Sequence, residues 1–209
     1  MRLRLFYSPG ACSLVPHIAL EEADAEFEAV RVTISEGAHH RPDYLKVNPR
    51  GLVPALDCDG RIVTENVAIL ALIGRRFRAS GLVPEDDFGF ARLLELISFF
   101  ACSVHVGAFR PLFLARRAGS SWSAAEEQAL VGYFREIDAL LAPGPWLLGE
   151  SYCVADGYPL TFRRWGQRLG FEMNGYAHWT KHAGRMVERP AVRRALEREG
   201  LDPAEFALA

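Results

Sequence analysis

The sequence is short of the features that mark disulfide-stapled, metal-bound, membrane-spanning or nucleic-acid-binding chains. Its 209 residues hold four cysteines, Cys12, Cys58, Cys102 and Cys153. No two stand close enough for a zinc knuckle or a two-cysteine redox motif. A chain of this length in a reducing compartment has no need of a disulfide framework either. His39-His40 stands without a flanking cysteine or carboxylate pattern, so no metal site is expected. Charge of one sign is lacking too: 24 Lys+Arg against 26 Asp+Glu leave a net charge of −2. That balance argues against an extended nucleic-acid face. No apolar run approaches the roughly 18–20 residues that span a bilayer, so no membrane partner is expected. The start, Met1-Arg2-Leu3-Arg4-Leu5, alternates charge with hydrophobe and then meets Pro9-Gly10, unlike a signal peptide. The expectation is a soluble, cytoplasmic protein.

What is present divides into two patterns. Apolar types make up 50% of the chain, ample for a packed core at a length that suits two small domains. Arg2 to Leu5 alternate with period two, and Phe6 extends the run as a half-buried strand. After Pro9-Gly10, Leu14, Val15, Ile18 and Ala19 recur at helical spacing, and Val30, Val32 and Ile34 give a second strand. A helix between two such strands is a βαβ unit, which favours parallel pairing. A short helix near Tyr44-Leu45 follows. Val53–Leu56 and Arg61–Thr64 then flank Asp59-Gly60 as a hairpin, and Ile69, Leu70, Ile73 and Phe77 share a helix face. The order is β-α-β-α-β-β-α over residues 1–78.

Residues 79–87, with Ala79-Ser80-Gly81 and Pro84-Glu85-Asp86-Asp87, form a polar connector. Residues 88–209 are expected to be all-helical. Phe90, Leu93, Leu94, Ile97, Ala101, Val104 and Ala108 trace a long stripe, and Leu130, Phe134, Ile137 and Leu141 trace another. Ser123 with Glu126 makes a capping box before the second. Further helices are predicted over 154–169, 176–188 and 191–199, punctuated by Gly170, Gly175 and Pro190.

Three local features of the first 78 residues bear on chemistry. Tyr7-Ser8-Pro9-Gly10-Ala11-Cys12-Ser13 leaves a strand and opens a helix, whose unpaired N–H groups and dipole favour an anion. A cysteine there is expected to have a lowered pKa; Cys12 reads equally as a small buried hydrophobe and Ser13 as a plain cap. Val53-Pro54 leaves a strand edge that an extended peptide can pair with, or is simply a strand-entry proline. Thr64-Glu65-Asn66 turns from strand to helix, where N–H groups hold a carboxylate and Glu65 a cation, or where the residues merely cap.

Taken in order, Tyr7–Ser13, the run Asn48-Pro49-Arg50-Gly51-Leu52-Val53-Pro54-Ala55-Leu56, and Thr64-Glu65-Asn66-Val67-Ala68-Ile69 resemble cytosolic glutathione S-transferases. Ser8-Pro9-Gly10-Ala11-Cys12-Ser13 is most similar to the bacterial beta class. Val154-Ala155-Asp156 resembles that family's buried helix cap, and Glu188-Arg189-Pro190-Ala191-Val192 its last-helix entry, so the likeness covers nearly the whole chain. The resemblance implies a thioredoxin-like α/β domain holding glutathione and a helical domain completing an electrophile pocket. It implies Cys12 beside the glutathione sulfur, with Ser13, Tyr7 and His105 near the thiol. It implies main-chain pairing at Val53 with Pro54 cis, and a γ-glutamyl site at Glu65 and Asn66. A homodimer is implied as well, with the helix from residue 88 at the interface and Ser98 facing the neighbouring site.

This chain departs from the family pattern in places. Asn66 stands where a small residue is usual, and its amide still donates and accepts. Leu52 removes a polar contact to glutathione. Cys153 replaces a Ser or Thr cap, so part of a cap worth about 0.5–2 kcal/mol is expected to be missing. Pro159 is expected to kink the helix that contains it.

The mechanism expected is conjugation. Free thiols titrate near ~8.5, so donors at Ser13, Cys12 or His105 and the helix N-terminus would favour the thiolate, which then attacks an electrophilic carbon. Phe109, Leu112 and Trp165 are the expected apolar walls. The alternatives are glutathione-dependent thiol–disulfide exchange through Cys12, a non-catalytic binding protein of the same fold, and isomerisation of a small diacid drawing on Arg110 and Arg164.

Overall fold

The computed structural model describes residues 2–207. Met1, Leu208 and Ala209, the outermost residues of the two expected domains, lie outside the described residues. Strand β1 (Leu3–Tyr7), helix α1 (Leu14–Glu22), β2 (Glu28–Arg31), α2 (Pro42–Leu45), β3 (Ala55–Cys58), β4 (Arg61–Thr64) and α3 (Asn66–Arg76) follow in the expected order. The sheet runs β2-β1-β3-β4, with β1 and β2 parallel and the other neighbours antiparallel. This is the mixed sheet of a thioredoxin-like domain. Asp59 (φ 53) and Gly60 (φ 85) close the β3–β4 hairpin with the two positive-φ residues a tight hairpin turn demands.

β2 stops at Arg31, earlier than the alternation to Ile34 predicts. Ile34 N–H donates to Ser8 Oγ at 3.3 Å, and Ile34–Glu36 form a 3-10 turn. That turn carries Ile34 toward the loop after β1 rather than along the sheet.

The helical part begins with α4 (Asp87–Ser98), which continues without a break through a π-helical stretch (Phe99–Phe109) into α5 (Arg110–Arg117). α6 (Ala124–Leu140), α7 (Gly157–Leu169), α8 (Ala177–Glu188), α9 (Pro190–Glu199) and α10 (Ala204–Ala207) complete it. The Ser123–Glu126 capping box opens α6. Contrary to the expectation from sequence, one stretch is long and apolar enough to span a bilayer. Among the described residues the continuous helix Asp87–Arg117 meets that length and composition. Its Leu93, Ile97, Phe100, Val104, Phe109 and Leu112 are fully buried, so its apolar content serves as the spine of the core.

One core runs through both parts, from Leu3, Leu5 and Tyr7 through α1, α3 and the long helix to α6 and α7. A smaller cluster under the opposite face of the sheet joins Phe6, Val32, Tyr44, Val53 and Ala55.

Two expectations about α7 are corrected. Cys153 completes a capping box on the 3-10 turn Val154–Asp156 that leads into it: its side chain accepts from the Asp156 backbone, and Cys153 N–H donates to Asp156 Oδ2 at 2.9 Å. Asp156 Oδ1 also accepts from Leu147 N–H at 3.0 Å and lies 2.9 Å from His182 Nε2. Pro159 does not kink α7, because the helix starts at Gly157 and the proline falls in its first turn, where no intrahelical N–H is required.

Candidate active site

A cleft of about 340 Å³ opens where the Cys12 loop, the β3 entry, the α3 entry and the long helix meet. Cys12, Leu52, Val53, Pro54, Glu65, Asn66, His105 and Arg110 line it, so eight residues singled out by sequence converge there. A broader, shallow depression of about 500 Å³ between Val187, Arg193, Glu197, Pro203 and Ala204 lies elsewhere and gathers no nucleophile.

Each wall is set by local structure. The Val53-Pro54 peptide bond is cis, and Leu52 O ahead of it is held by Tyr44 Oη at 2.6 Å and Asn48 Nδ2 at 2.7 Å. Asn48 Oδ1 also accepts from Arg50 N–H at 3.1 Å, so this side chain braces the whole turn. Glu65 precedes α3 at φ 69, a backbone region that costs a non-glycine residue about 1–3 kcal/mol. Its carboxylate is exposed and only 3.7 Å from Arg50 Nη1. Asn66 Nδ2 donates to Cys12 O at 3.0 Å, tying the α3 entry to the α1 entry, while its Oδ1 has no partner in the protein.

The electrostatics revise one expectation. Burial pushes the Cys12 thiol up to about 12, outweighing the backbone N–H donors that lower it. The thiol donates to Val53 O at 3.4 Å. Cys12 therefore stays protonated near neutrality, and the expected lowered pKa is corrected: desolvation exceeds the pull of the helix N-terminus. Burial, with Arg110 nearby, pushes His105 down to about 4, so its imidazole is neutral at pH 7.

Other expected site residues are not brought to the cleft. Ser13 is fully buried, accepting from Ser8 N–H at 3.0 Å and donating to Ser8 O at 3.2 Å. Tyr7 donates to Arg198 O at 3.2 Å, on the α9 side of the domain. Phe109 and Leu112 are buried in the core, and Trp165 packs tilted against His105, ring centroids 4.8 Å apart, without lining the cleft. Arg164 pairs with Glu205 at 2.8 Å, away from the cleft.

The cleft face of the long helix is set by the π stretch. Turns closed by i→i+5 bonds take more residues than the about 3.6 of an α-helix. Ala101, then His105 and its neighbour Val106, then Arg110, recurring every four to five residues, therefore share the cleft face, and Phe113 follows. Ile34, Asn48, Ala101, Val106, Phe113 and Tyr158 also line the cleft and were not singled out as site residues. Asn48 stood inside a quoted motif. The outward set on the long helix was legible only to a reading with the wider period.

Residues 1–75 match the family model described as glutathione S-transferase, N-terminal domain. The chain is 33% identical over 202 residues to glutathione S-transferase GstA of Escherichia coli O157:H7, covering 95% of this chain and 100% of that protein. The bacterial beta class glutathione S-transferase of Sphingomonas chungbukensis superposes with a TM-score of 0.85 at 37% identity, over 95% of this chain and 100% of that one. A sphingomonad glutathione S-transferase complexed with glutathione superposes with a TM-score of 0.82 at 39% identity, with the same two coverages of 95% and 100%.

Proposed function

The chain belongs to the glutathione S-transferase family, and we propose that it joins the sulfur of glutathione to small hydrophobic electrophiles in this cleft. The observation that carries the reading is the convergence of the Cys12 loop, the cis Val53-Pro54 edge and the Glu65–Asn66 helix entry on one cavity. Val53 offers main-chain groups to the cysteinyl unit of an extended tripeptide, as a strand edge does. The α3 N-terminus suits the carboxylate of the γ-glutamyl end and the exposed Glu65 carboxylate its ammonium.

The sulfur then lies at the mouth of α1. A free thiol titrates near ~8.5, and the helix N-terminus favours its ionised form. Cys12, held as a thiol, is a hydrogen-bond donor to that sulfur rather than a competing thiolate. Neutral His105 supplies a second ring N–H in the appropriate tautomer. The thiol proton passes to water, the sulfur pair forms the bond to carbon, and the leaving group departs with its own pair. Ala101, Val106 and Phe113 give the electrophile an apolar wall.

The high pKa of Cys12 weighs against disulfide exchange, in which Cys12 itself would have to be the attacking thiolate. A homodimer in the cytoplasm, divided at residues 79–87 within each chain, completes the reading. Phe88, 77% exposed on α4, supports an interface along that helix. The test is calorimetric titration with glutathione and a conjugation assay with an activated aryl halide, on wild type and Cys12→Ala. Conjugation that survives in the variant supports the reading; wild-type protein that neither binds glutathione nor conjugates it ends it.

A further inference from the structure

We propose that Tyr158 is a further catalytic residue, its hydroxyl donating to the sulfur of bound glutathione. The proposal rests on the transferase reading and adds a group that reading does not use. Tyr158 stands in the first turn of α7 and is 0% exposed, yet its Oη closes no well-aligned hydrogen bond in the protein, the nearby Asn66 amide being committed to Cys12 O. It lines the cleft beside Cys12, Asn66 and His105, and is the only hydroxyl among the described residues that do. A buried hydroxyl that has lost its hydration and gained no partner is a standing cost to the fold. A ligand atom in the cleft supplies the missing partner.

The position of Oη is set by packing. The ring lies 5.4 Å from Phe100 and 5.4 Å from Phe162, centroid to centroid, so the hydroxyl has little freedom to turn away. The groups that act on it are Cys12 from the α1 entry, Asn66 and Glu65 from the α3 entry, and Cys102 from the π stretch. Burial and the three ionisable neighbours push its pKa up, against the Asn66 amide, so it remains a donor near neutrality. Tyr158 and Cys12 line the same cleft, so the hydroxyl shares it with the mouth of α1. Asn66 connects the same groups, since its amide already donates to Cys12 O. Tyr7, the tyrosine expected near the thiol, is turned to Arg198 O instead.

The step balances simply. The glutathione S–H proton leaves to water, Tyr158 O–H points at the resulting sulfur anion, and that anion forms the carbon–sulfur bond as the leaving group departs with its electrons. Tyr158 keeps its proton throughout.

The test is Tyr158→Phe in the full chain, which keeps the ring and removes only the oxygen. Thermal stability is expected to hold or rise, and glutathione affinity by calorimetry to stay within about threefold. The thiol pKa, read from the pH profile of kcat/KM and from thiolate ultraviolet absorbance, should rise by about one unit, with a rate about tenfold lower below that pKa. A fluorinated tyrosine at position 158, a stronger donor, should move the thiol pKa down. A folded Tyr158→Phe protein with an unmoved thiol pKa overturns the proposal. So does a rate loss confined to carbonyl-bearing electrophiles, which makes Tyr158 a donor to the second substrate. If the Phe variant does not fold, the fluorotyrosine shift alone decides. Wild-type protein inert toward glutathione removes the transferase reading as well, whereas an active wild type with an unshifted variant removes only the role of Tyr158.

Discussion

Trp165 donates its indole hydrogen to Gly10 O at 2.7 Å, while Glu199 Oε2 accepts from Gly10 N–H at the same 2.7 Å. Two helices of the C-terminal part thus grip both ends of one residue in the loop that carries Cys12. Gly10 is obligatory there: it sits at φ 66, and a Cβ would overlap the Arg164 guanidinium. The Cys12 loop is therefore positioned by side chains more than 150 residues away in sequence.

Replacing Trp165 by Phe keeps much of the aromatic packing around Phe109, Phe113 and Phe162 and removes the N–H. The Gly10 carbonyl then loses its protein donor, at about 1 kcal/mol of unfolding free energy. Because the loop moves rather than the chemistry, KM for glutathione is expected to rise several-fold with a smaller change in kcat. Urea unfolding and steady-state kinetics check this together.

Glu199 serves two partners, since its Oε1 also lies 2.8 Å from His17 Nδ1 with both side chains fully buried. Glu199→Ala strands Gly10 N–H and His17 at once and is expected to cost about 3 kcal/mol. Glu199→Gln retains an acceptor for Gly10 and should cost less. The urea midpoint should fall in that order with an unchanged slope; equal midpoints for wild type and Glu199→Ala would show that the grip contributes nothing.

Much of the fold was legible because its signals are local. Period-two alternation marked β1, Asp59-Gly60 the hairpin, and the apolar positions Ile69, Leu70 and Ile73 the inner face of α3. Cys12, Val53 and Glu65 were legible as neighbours in one cleft because each stands where a strand or loop hands over to another element. What was not legible depends on hydrogen bonds closed at a distance. Nothing around Ser13 reveals that its hydroxyl is consumed by Ser8, nor anything around Tyr7 that its hydroxyl reaches α9. Phe109 and Leu112, expected as apolar walls, are instead fully buried in the core, and nothing local in sequence separates a pocket aromatic or leucine from a core one. Pro159 was misread for want of the start of α7. Tyr158, two residues beyond the cap residue Asp156, reads in sequence as one more core aromatic.

His105 ties stability to pH. Its pKa falls from about 6.5 when unfolded to about 4 when folded, so between these values the unfolded chain binds a proton that the folded one does not. The unfolded state is favoured as pH drops through that window, and stability should decline from pH 6.5 to pH 4. The size is roughly 1–3 kcal/mol, reduced by the solvent that reaches the cleft. His105→Asn should flatten this part of the stability–pH curve measured by thermal melts, leaving the carboxylate-driven losses at lower pH.

Glu65 lines the cleft with an exposed carboxylate and a backbone conformation that glycine tolerates better. Two substitutions separate the charge from the strain. Glu65→Ala keeps the positive φ and removes the carboxylate, and its salt bridge to Arg50 is exposed and worth little, so stability should change by less than about 1 kcal/mol. Glutathione binding should nevertheless weaken by an order of magnitude or more, because the ammonium of the tripeptide loses its counter-charge. Glu65→Gly loses the same charge but relaxes the backbone, offsetting the about 0.5–1 kcal/mol that glycine adds to unfolded-chain entropy, and should melt at or above the temperature of the Ala variant. Calorimetric titration and melting curves on the pair decide the matter. Equal loss of affinity with the Gly variant the more stable means that the strained φ is maintained by the need to present the carboxylate, in the way that binding sites trade stability for function.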